Sequence, residues 1–112
     1  MDFNQEVKIL DIGCGRGGLS EKLGKQGKQV YGLDIDWDSM LSHRDSLIRL
    51  CAGHCNFLPI QSSAYQVIIS SWLLEHLSDP LTCFREVSRV LEHGGHFIFL
   101  TPVDLSICAP TP

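Results

Sequence analysis

Residues 7–19 read VKILDIGCGRGGL, and this stretch decides the fold. The segment from Lys8 to Ile12 is a short β-branched and apolar run, which predicts a buried strand. The run ends in closely spaced glycines over positions 13–18, which form a tight turn more easily than other residues do. From Leu19 to about Gln26 the apolar residues recur at helical spacing. The stretch therefore predicts a strand that leads through a glycine loop into a helix.

Strand and helix patterns alternate along the rest of the chain. Apolar runs predict four more strands, at residues 29–34, 50–52, 67–70 and 97–100. Two more helical patterns follow capping residues, over 36–48 and from 79 through 91. The second begins at Asp79-Pro80, with proline at the first helical position, and stops at Gly94-Gly95. Because parallel neighbours need crossover connections, this order predicts an α/β fold with a mostly parallel open sheet and helices on both faces.

Composition limits the class of protein. The chain has 112 residues, and nine Lys and Arg against thirteen Asp and Glu give a formal net charge of −4. This length predicts one domain with one core. The acidic balance argues against a nucleic-acid partner, since sequence-independent binding needs clustered basic residues. No apolar run is long enough to cross a membrane and the start does not resemble a signal peptide, so we expect a cytoplasmic protein whose five cysteines are reduced thiols.

The expected ligand site lies at one edge of the sheet. In open parallel sheets ligands bind at the carboxyl ends of the strands, near the point where the strand order reverses. This rule points to the glycine loop, to Asp34, and to Ser70 and the residues after it. The loop fits both the G-x-G-x-x-G pattern of dinucleotide sites and a pattern of one acidic residue followed by alternate glycines. Asp11 favours a cofactor with a positive centre, because a carboxylate just before the turn would repel a pyrophosphate.

Four segments resemble the class I S-adenosylmethionine-dependent methyltransferases, in particular their small-molecule branch. These segments are VKILDIGCGRGGL at 7–19, GLDID at 32–36, GHCNFLPI at 53–60 and the run from Val67 to Pro102. The last run includes WLLEHL and REVSRVLEHGG, which dinucleotide dehydrogenases do not characteristically show. The resemblance covers nearly the whole chain, and it implies a Rossmann-like fold with strand order 3-2-1-4-5.

The resemblance also implies a cofactor, S-adenosyl-L-methionine, and a reaction, methyl transfer to a small-molecule acceptor. The carboxylate of Asp11 then lies near cationic groups, which it favours. Asp34 would accept hydrogen bonds from the ribose hydroxyls, and Ile35 would pack on the adenine ring. The implied cofactor-binding residues are Asp11, Gly13, Cys14, Gly15, Gly17, Asp34, Ile35, His54, Cys55 and Ser70.

Three positions depart from the family pattern. His54 stands where an aspartate usually contacts the adenine amino group, although a neutral imidazole can accept a hydrogen bond through one ring nitrogen. Gln66 replaces the usual aspartate before the fourth strand, and Glu92-His93 replace the usual Lys-Pro before two glycines. These departures indicate divergence more than loss of binding.

Two histidines admit a chemical role. His76 follows the fourth strand and could remove a proton from the acceptor, or it could orient its own turn. His54 with Cys51 and Cys55 could suggest a metal site, but no second ligand pair stands at zinc spacing, and we predict no metal. Methyl transfer from a sulfonium is mainly a matter of positioning, so no catalytic residue is assigned.

The length limits what the resemblance implies. We expect residues 1–102 to form the methyltransferase core and residues 103–112 an irregular tail, which leaves out the family's last two strands. The fifth strand would then be a hydrophobic edge, which a second copy of the chain or a partner chain could cover. Two other classes stay open: a truncated or degenerate cofactor-binding module without independent activity, and an NAD-binding Rossmann domain.

Overall fold

Five parallel strands of the computed structural model form one sheet. They are β1 (Lys8–Ile12), β2 (Gln29–Asp34), β3 (Arg49–Ala52), β4 (Tyr65–Ser71) and β5 (Leu91–Leu100). The strand order is β3-β2-β1-β4-β5. The predicted α/β class, the parallel sheet and the strand order are therefore confirmed.

The structure describes residues 7–13, 18–36, 49–71, 73 and 76–100. Two helices lie in these ranges, α1 (Gly18–Lys25) and α2 (Pro80–Val90). Neither of these described helices is long and apolar enough to cross a membrane. The predicted helix after Asp36 and the predicted tail at 103–112 lie outside the described residues.

The two helices cover opposite faces of the sheet. On one face Leu10, Ile12 and Ile68 are fully buried in a cluster that includes Val87 and Val90 of α2. On the other face a second cluster is formed by Ile9, Val30, Val67 and Ile69, and Leu23 of α1 packs against it. Alternate residues of β1 thus enter different clusters, as the period of two in a strand requires. The predicted covering of both faces is confirmed, and it leaves the strand ends open to a ligand.

The end of α2 differs from the sequence prediction. The helix begins as predicted, with Asp79 as the N-cap and Pro80 at the first helical position, but it ends at Val90. Leu91 is extended and already pairs with Tyr65 of β4. Its apolar side chain packs against the core from the strand, so it continues the helical spacing without being helical.

A bulge that contains Gly94 and Gly95 follows within β5. A β-carbon on Gly95 would lie 2.9 Å from the carbonyl oxygens of Gln66 and Glu92, so only glycine lets the chain pass this close to β4. The pairing with β4 resumes at His96 opposite Val67.

Candidate functional site

A pocket with a volume of about 150 Å³ opens at the carboxyl ends of the central strands. Its described lining is Gly13, Leu33, Asp34, Ile35, Gly53, His54, Cys55, Leu73, His76 and Leu77. These residues follow β1, β2, β3 and β4 or end them, which is the edge where open parallel sheets bind ligands. A larger cavity of about 550 Å³ lies between α2 and the first half of β5, and none of the predicted site residues line it.

Backbone hydrogen bonds join the strand ends under this pocket. The Gly13 N–H donates to the Leu33 carbonyl at 2.7 Å, and the Gly53 N–H donates to the Asp34 carbonyl at 3.0 Å. Gly13 has a φ of +71°, and a β-carbon there would lie 3.1 Å from the side chain of Leu73. The backbone conformation therefore favours glycine at this position, and a β-carbon would also be tight against Leu73.

Asp34 and Ile35 place a carboxylate and an apolar surface next to each other at the end of β2. The Asp34 carboxylate accepts a hydrogen bond from the Asp36 N–H at 2.9 Å through Oδ1, which fixes the side chain against its own backbone. Ile35 is 70% exposed, although isoleucine is among the residues most often buried. The predicted roles need this combination, a hydrogen-bond acceptor beside an apolar face that a planar ring can cover.

His54 and Cys55 form the start of the β3–β4 loop (residues 53–64). The Asn56 N–H donates to Nδ1 of His54 at 3.0 Å, and the Phe57 N–H donates to the His54 carbonyl at 3.0 Å. This tight turn holds the exposed imidazole at the wall of the pocket. The loop thus presents a ring whose position is set by its own backbone.

The thiol of Cys55 belongs to the core. Its side chain is buried with Cys83 in the cluster under α2, and burial raises the pKa of the Cys55 thiol above its ordinary value. Burial also raises the pKa of Cys83 to about 12. Both thiols are therefore protonated at neutral pH and are poor nucleophiles or ligands. Among the described side chains, no group of three or more His, Cys, Asp or Glu residues is arranged to hold a metal ion.

Asp11 and Ser70 do not line the pocket. Asp11 pairs with Ile69, and Ser70 pairs with Ile12, so the register places the two side chains on opposite faces of the sheet. Both are buried, and the hydroxyl oxygen of Ser70 has no hydrogen-bond partner within the described ranges. Ser70 lies beside the residue that precedes Gly13, so its hydroxyl is next to the start of the glycine loop.

Three predicted residues of the glycine loop cannot be placed, and four residues that line the pocket were not predicted. Cys14, Gly15 and Gly17 lie outside the described residues. Four residues that line the pocket were not predicted to bind the cofactor: Leu33, Gly53, Leu73 and Leu77. All four lie in segments that resemble the family, but glycine and leucine carry no chemical signal of binding, and only the strand topology brings them to the pocket.

An ion pair on α2 holds the β3–β4 loop that carries His54. Arg89 contacts Glu86 at 2.7 Å and donates to the carbonyls of Leu58 and Ile60 at 3.0 and 2.8 Å. Glu86 in turn accepts from the Leu58 N–H at 3.0 Å. The Arg89 guanidinium holds the pKa of Glu86 below its ordinary value. The contacts of Arg89 and Glu86 with the loop backbone make this ion pair a brace for the pocket wall.

Comparison with known proteins identifies the family. The sequence model of the methyltransferase domain family matches residues 10–99. The chain belongs to this family. The ubiquinone biosynthesis O-methyltransferase of Aliivibrio fischeri is 36% identical over 104 residues, which cover 84% of this chain and 43% of that protein. The methyltransferase domain described above thus spans less than half the length of this curated relative.

Two solved structures are similar to the chain. An S-adenosylmethionine-dependent methyltransferase from Mesorhizobium loti is 26% identical with a TM-score of 0.78, and the match covers 90% of this chain and 49% of that one. The YcgJ protein of Bacillus subtilis has a TM-score of 0.82 at 23% identity, over 89% of this chain and 46% of its own, which shows a shared fold. Membership of the methyltransferase domain family implies S-adenosyl-L-methionine as the cofactor.

The residues of this methyltransferase domain fit that cofactor. The carboxylate of Asp34 is a suitable partner for ribose hydroxyls, and the exposed face of Ile35 suits an aromatic base. Gly13, with a φ of +71°, lets the backbone turn at the edge of the pocket. The unpartnered hydroxyl of Ser70 adds a buried polar atom close to the loop. This combination of polar side chains and one exposed apolar side chain suits a small polar organic molecule with one flat apolar part.

Proposed function

We propose that this domain binds S-adenosyl-L-methionine at the carboxyl ends of β1 to β4 and transfers its methyl group to an oxygen atom of a small molecule. The observation that carries the proposal is that Gly13, Asp34, Ile35 and His54 line the same pocket. These residues come from three separate sequence motifs, and the sheet brings them to one edge.

The cofactor supplies a methyl group on a positively charged sulfur, which is already a good leaving group. The chain's own contribution is to bind and orient. Asp34 would hold the ribose, Ile35 would pack against the base, and Gly13 would let the backbone approach closely. Holding two reactants in a reactive geometry can account for several kcal/mol of a barrier, on the order of 7–11 in the best cases.

Two observations support a hydroxyl group as the methyl acceptor: the name of a relative and a residue that lines the pocket. The Aliivibrio fischeri protein is named an O-methyltransferase of ubiquinone biosynthesis, which supports an oxygen atom as the acceptor. His76 lines the pocket, which supports a role for it as the base that takes the proton a hydroxyl acceptor must lose. The absence of a basic cluster from the sequence supports a small molecule over a nucleic acid.

Equilibrium binding tests the proposal. Calorimetric titration of the protein with S-adenosyl-L-methionine, S-adenosyl-L-homocysteine and NAD should show binding of the first two and not of NAD. Asp34→Asn should weaken both adenosyl ligands by roughly tenfold, because it removes an ionised acceptor. Asp36→Asn makes the same change of charge two residues away and should have little effect. Binding of NAD alone would contradict the proposal.

One alternative has a specific observation behind it. Because the chain spans 43% of the Aliivibrio fischeri relative, it could act as a cofactor-binding module that needs further residues for turnover. Transfer of a labelled methyl group to a panel of phenolic acceptors separates the two functions. Cofactor binding without transfer to any acceptor would favour the module.

A further inference from the structure

His54 lines the pocket and has a hydrogen-bond donor at Nε2, and this second property follows from one contact. The Asn56 backbone N–H lies 3.0 Å from Nδ1 of His54. A backbone N–H can only donate, so Nδ1 must use its single lone pair to accept. In a neutral imidazole the one hydrogen then sits on Nε2, and in a protonated imidazole Nε2 carries a hydrogen as well. Nε2 is therefore a donor in both states of the ring.

This result changes what His54 can recognise. An aspartate at this position would offer only acceptor atoms, which suit the amino group of adenine. In His54 the accepting nitrogen, Nδ1, is already bonded to the Asn56 N–H. The described part of the chain provides no hydrogen-bond partner for the other ring nitrogen, Nε2. The nitrogen that remains for a ligand can pair only with an acceptor. This differs from the expectation that His54 accepts from the adenine amino group.

The neighbours of His54 make the base the relevant part of a ligand. His54 lines the same pocket as Asp34 and Ile35, and Ile35 offers an exposed apolar face. A purine that packs on this face can present ring nitrogens, or an oxygen at position 6, as acceptors. A donor at His54 pairs with the ring nitrogens of adenine or with the oxygen at position 6 of hypoxanthine.

We infer that His54 relaxes the base specificity of the site, so that the domain accepts S-inosyl ligands about as well as S-adenosyl ligands. The inference rests on the proposed function, because it concerns the same cofactor pocket. Its physical basis is the missing acceptor. The His54 side chain cannot accept a hydrogen bond from the amino group of adenine, and it does not repel the carbonyl oxygen of hypoxanthine.

A matched pair of variants tests the inference. His54→Asp and His54→Asn are nearly the same in shape, and in both a side-chain oxygen can accept the Asn56 N–H and keep the turn. The aspartate then presents a further acceptor to the ligand, whereas the asparagine presents an amide donor. Both test ligands, S-adenosyl-L-homocysteine and S-inosyl-L-homocysteine, are uncharged at sulfur, so the difference between the variants reports on the base.

Dissociation constants for both ligands should be measured by calorimetry for the three proteins. The wild-type protein and His54→Asn should bind the two ligands within about threefold of each other, and His54→Asp should prefer the adenosyl ligand by roughly tenfold or more. A tenfold adenosyl preference of the wild-type protein overturns the inference and leaves the proposed function intact. The same preference in His54→Asn also overturns it. If the wild-type protein binds neither ligand, the proposed function fails and the inference falls with it.

Discussion

Asp11 is a buried carboxylate in the central strand of the sheet, 3% exposed, at the register position opposite Gly32 and Ile69. Burying a charge is costly, and a protein retains such a group where the charge has a use. In this family the use would be attraction toward a cationic cofactor. The charge itself, and not the shape of the side chain, is then what a substitution should test.

Asp11→Asn keeps the shape of the side chain and removes its charge. We expect the affinity for S-adenosyl-L-methionine to fall by on the order of tenfold more than the affinity for S-adenosyl-L-homocysteine, because only the first ligand carries a sulfonium. Calorimetric titration of the variant with both ligands measures the ratio. An equal loss for both would mean that Asp11 acts through the local structure, and the electrostatic argument would be wrong.

Single residues also show where sequence reasoning ends. Gln66 was recognisable as a departure from the family pattern, but its structural role was not. Its side-chain oxygen accepts the Lys8 N–H at 2.8 Å and ties the start of β1 to β4. The contact joins residues 58 positions apart, and no local pattern reports such a distance. The same holds for the Nδ1 contact of His54, which depends on a backbone turn and not on the residue type.

At the scale of elements, α2 and the β3–β4 loop form one unit through Arg89 and Glu86. The guanidinium reaches two carbonyls of the loop, which would otherwise need other partners. Since the same loop begins with Gly53 and His54, bracing one end of it restrains the pocket wall at the other. The helix therefore contributes to the site without lining it.

Arg89→Ala should loosen this loop. We expect faster amide hydrogen exchange over residues 55–60 and weaker binding of S-adenosyl-L-homocysteine, because two loop carbonyls lose their donor. Arg85→Ala, on the same helix, is the matched control and should leave exchange in the loop unchanged. Hydrogen exchange measured by mass spectrometry on peptides that cover the loop compares the Arg89→Ala and Arg85→Ala variants. Equal protection in Arg89→Ala and in the wild-type protein would refute the brace.

The Glu86–Arg89 pair also predicts a dependence of stability on pH. The pKa of Glu86 is lowered in the folded state, first by the hydrogen bond from Arg89, from an ordinary value of 4.5. The folded state therefore binds this proton less readily than the unfolded state does, and the pair stabilises the fold above about pH 4.5. As the pH falls below that value the contribution is lost.

The free energy of unfolding should therefore fall less steeply with pH in Glu86→Gln than in the wild-type protein between about pH 5 and the folded-state pKa. Urea titrations at a series of pH values measure it. Glu92→Gln makes the same change of residue type outside the ion pair and should follow the wild-type curve. Parallel curves for all three proteins would show that the ion pair does not stabilise the fold.

The elements themselves were largely predictable, and their ends were not. The five strands include the apolar runs that indicated them, and the runs are clearest in β1 and β4 because a strand covered on both faces needs an uninterrupted apolar run. The helix α2 stops before Leu91 although the helical spacing continues, since pairing of Leu91 with Tyr65 replaces helical geometry there. The pairing of Leu91 with β4 thus sets the end of the helix, which the local spacing of apolar residues does not determine.

At the scale of the whole molecule, the sheet has an apolar edge at β5. Ile98 and Phe99 are 38% and 44% exposed, and Phe84 of α2 is 38% exposed beside them, with its ring centroid 5.9 Å from that of Phe99. Among the described strands, β5 pairs with β4 on one side and stands at the end of the order. Edge strands of this kind invite pairing with another chain, and natural proteins blunt them with lysine or cover them.

We therefore expect the 112-residue protein to self-associate through β5, and Phe99→Lys to weaken that association. Sedimentation velocity over a range of protein concentrations measures the effect as a shift from larger species to monomer. Phe57→Lys is the matched control, because Phe57 is 79% exposed and lies in the β3–β4 loop. The two variants lose the same aromatic ring and gain the same charge, so general solubility changes equally and only the edge differs. Equal association of Phe99→Lys and Phe57→Lys would remove β5 as the interface, and a monomeric wild-type protein at every concentration would show that the edge is tolerated without a partner chain.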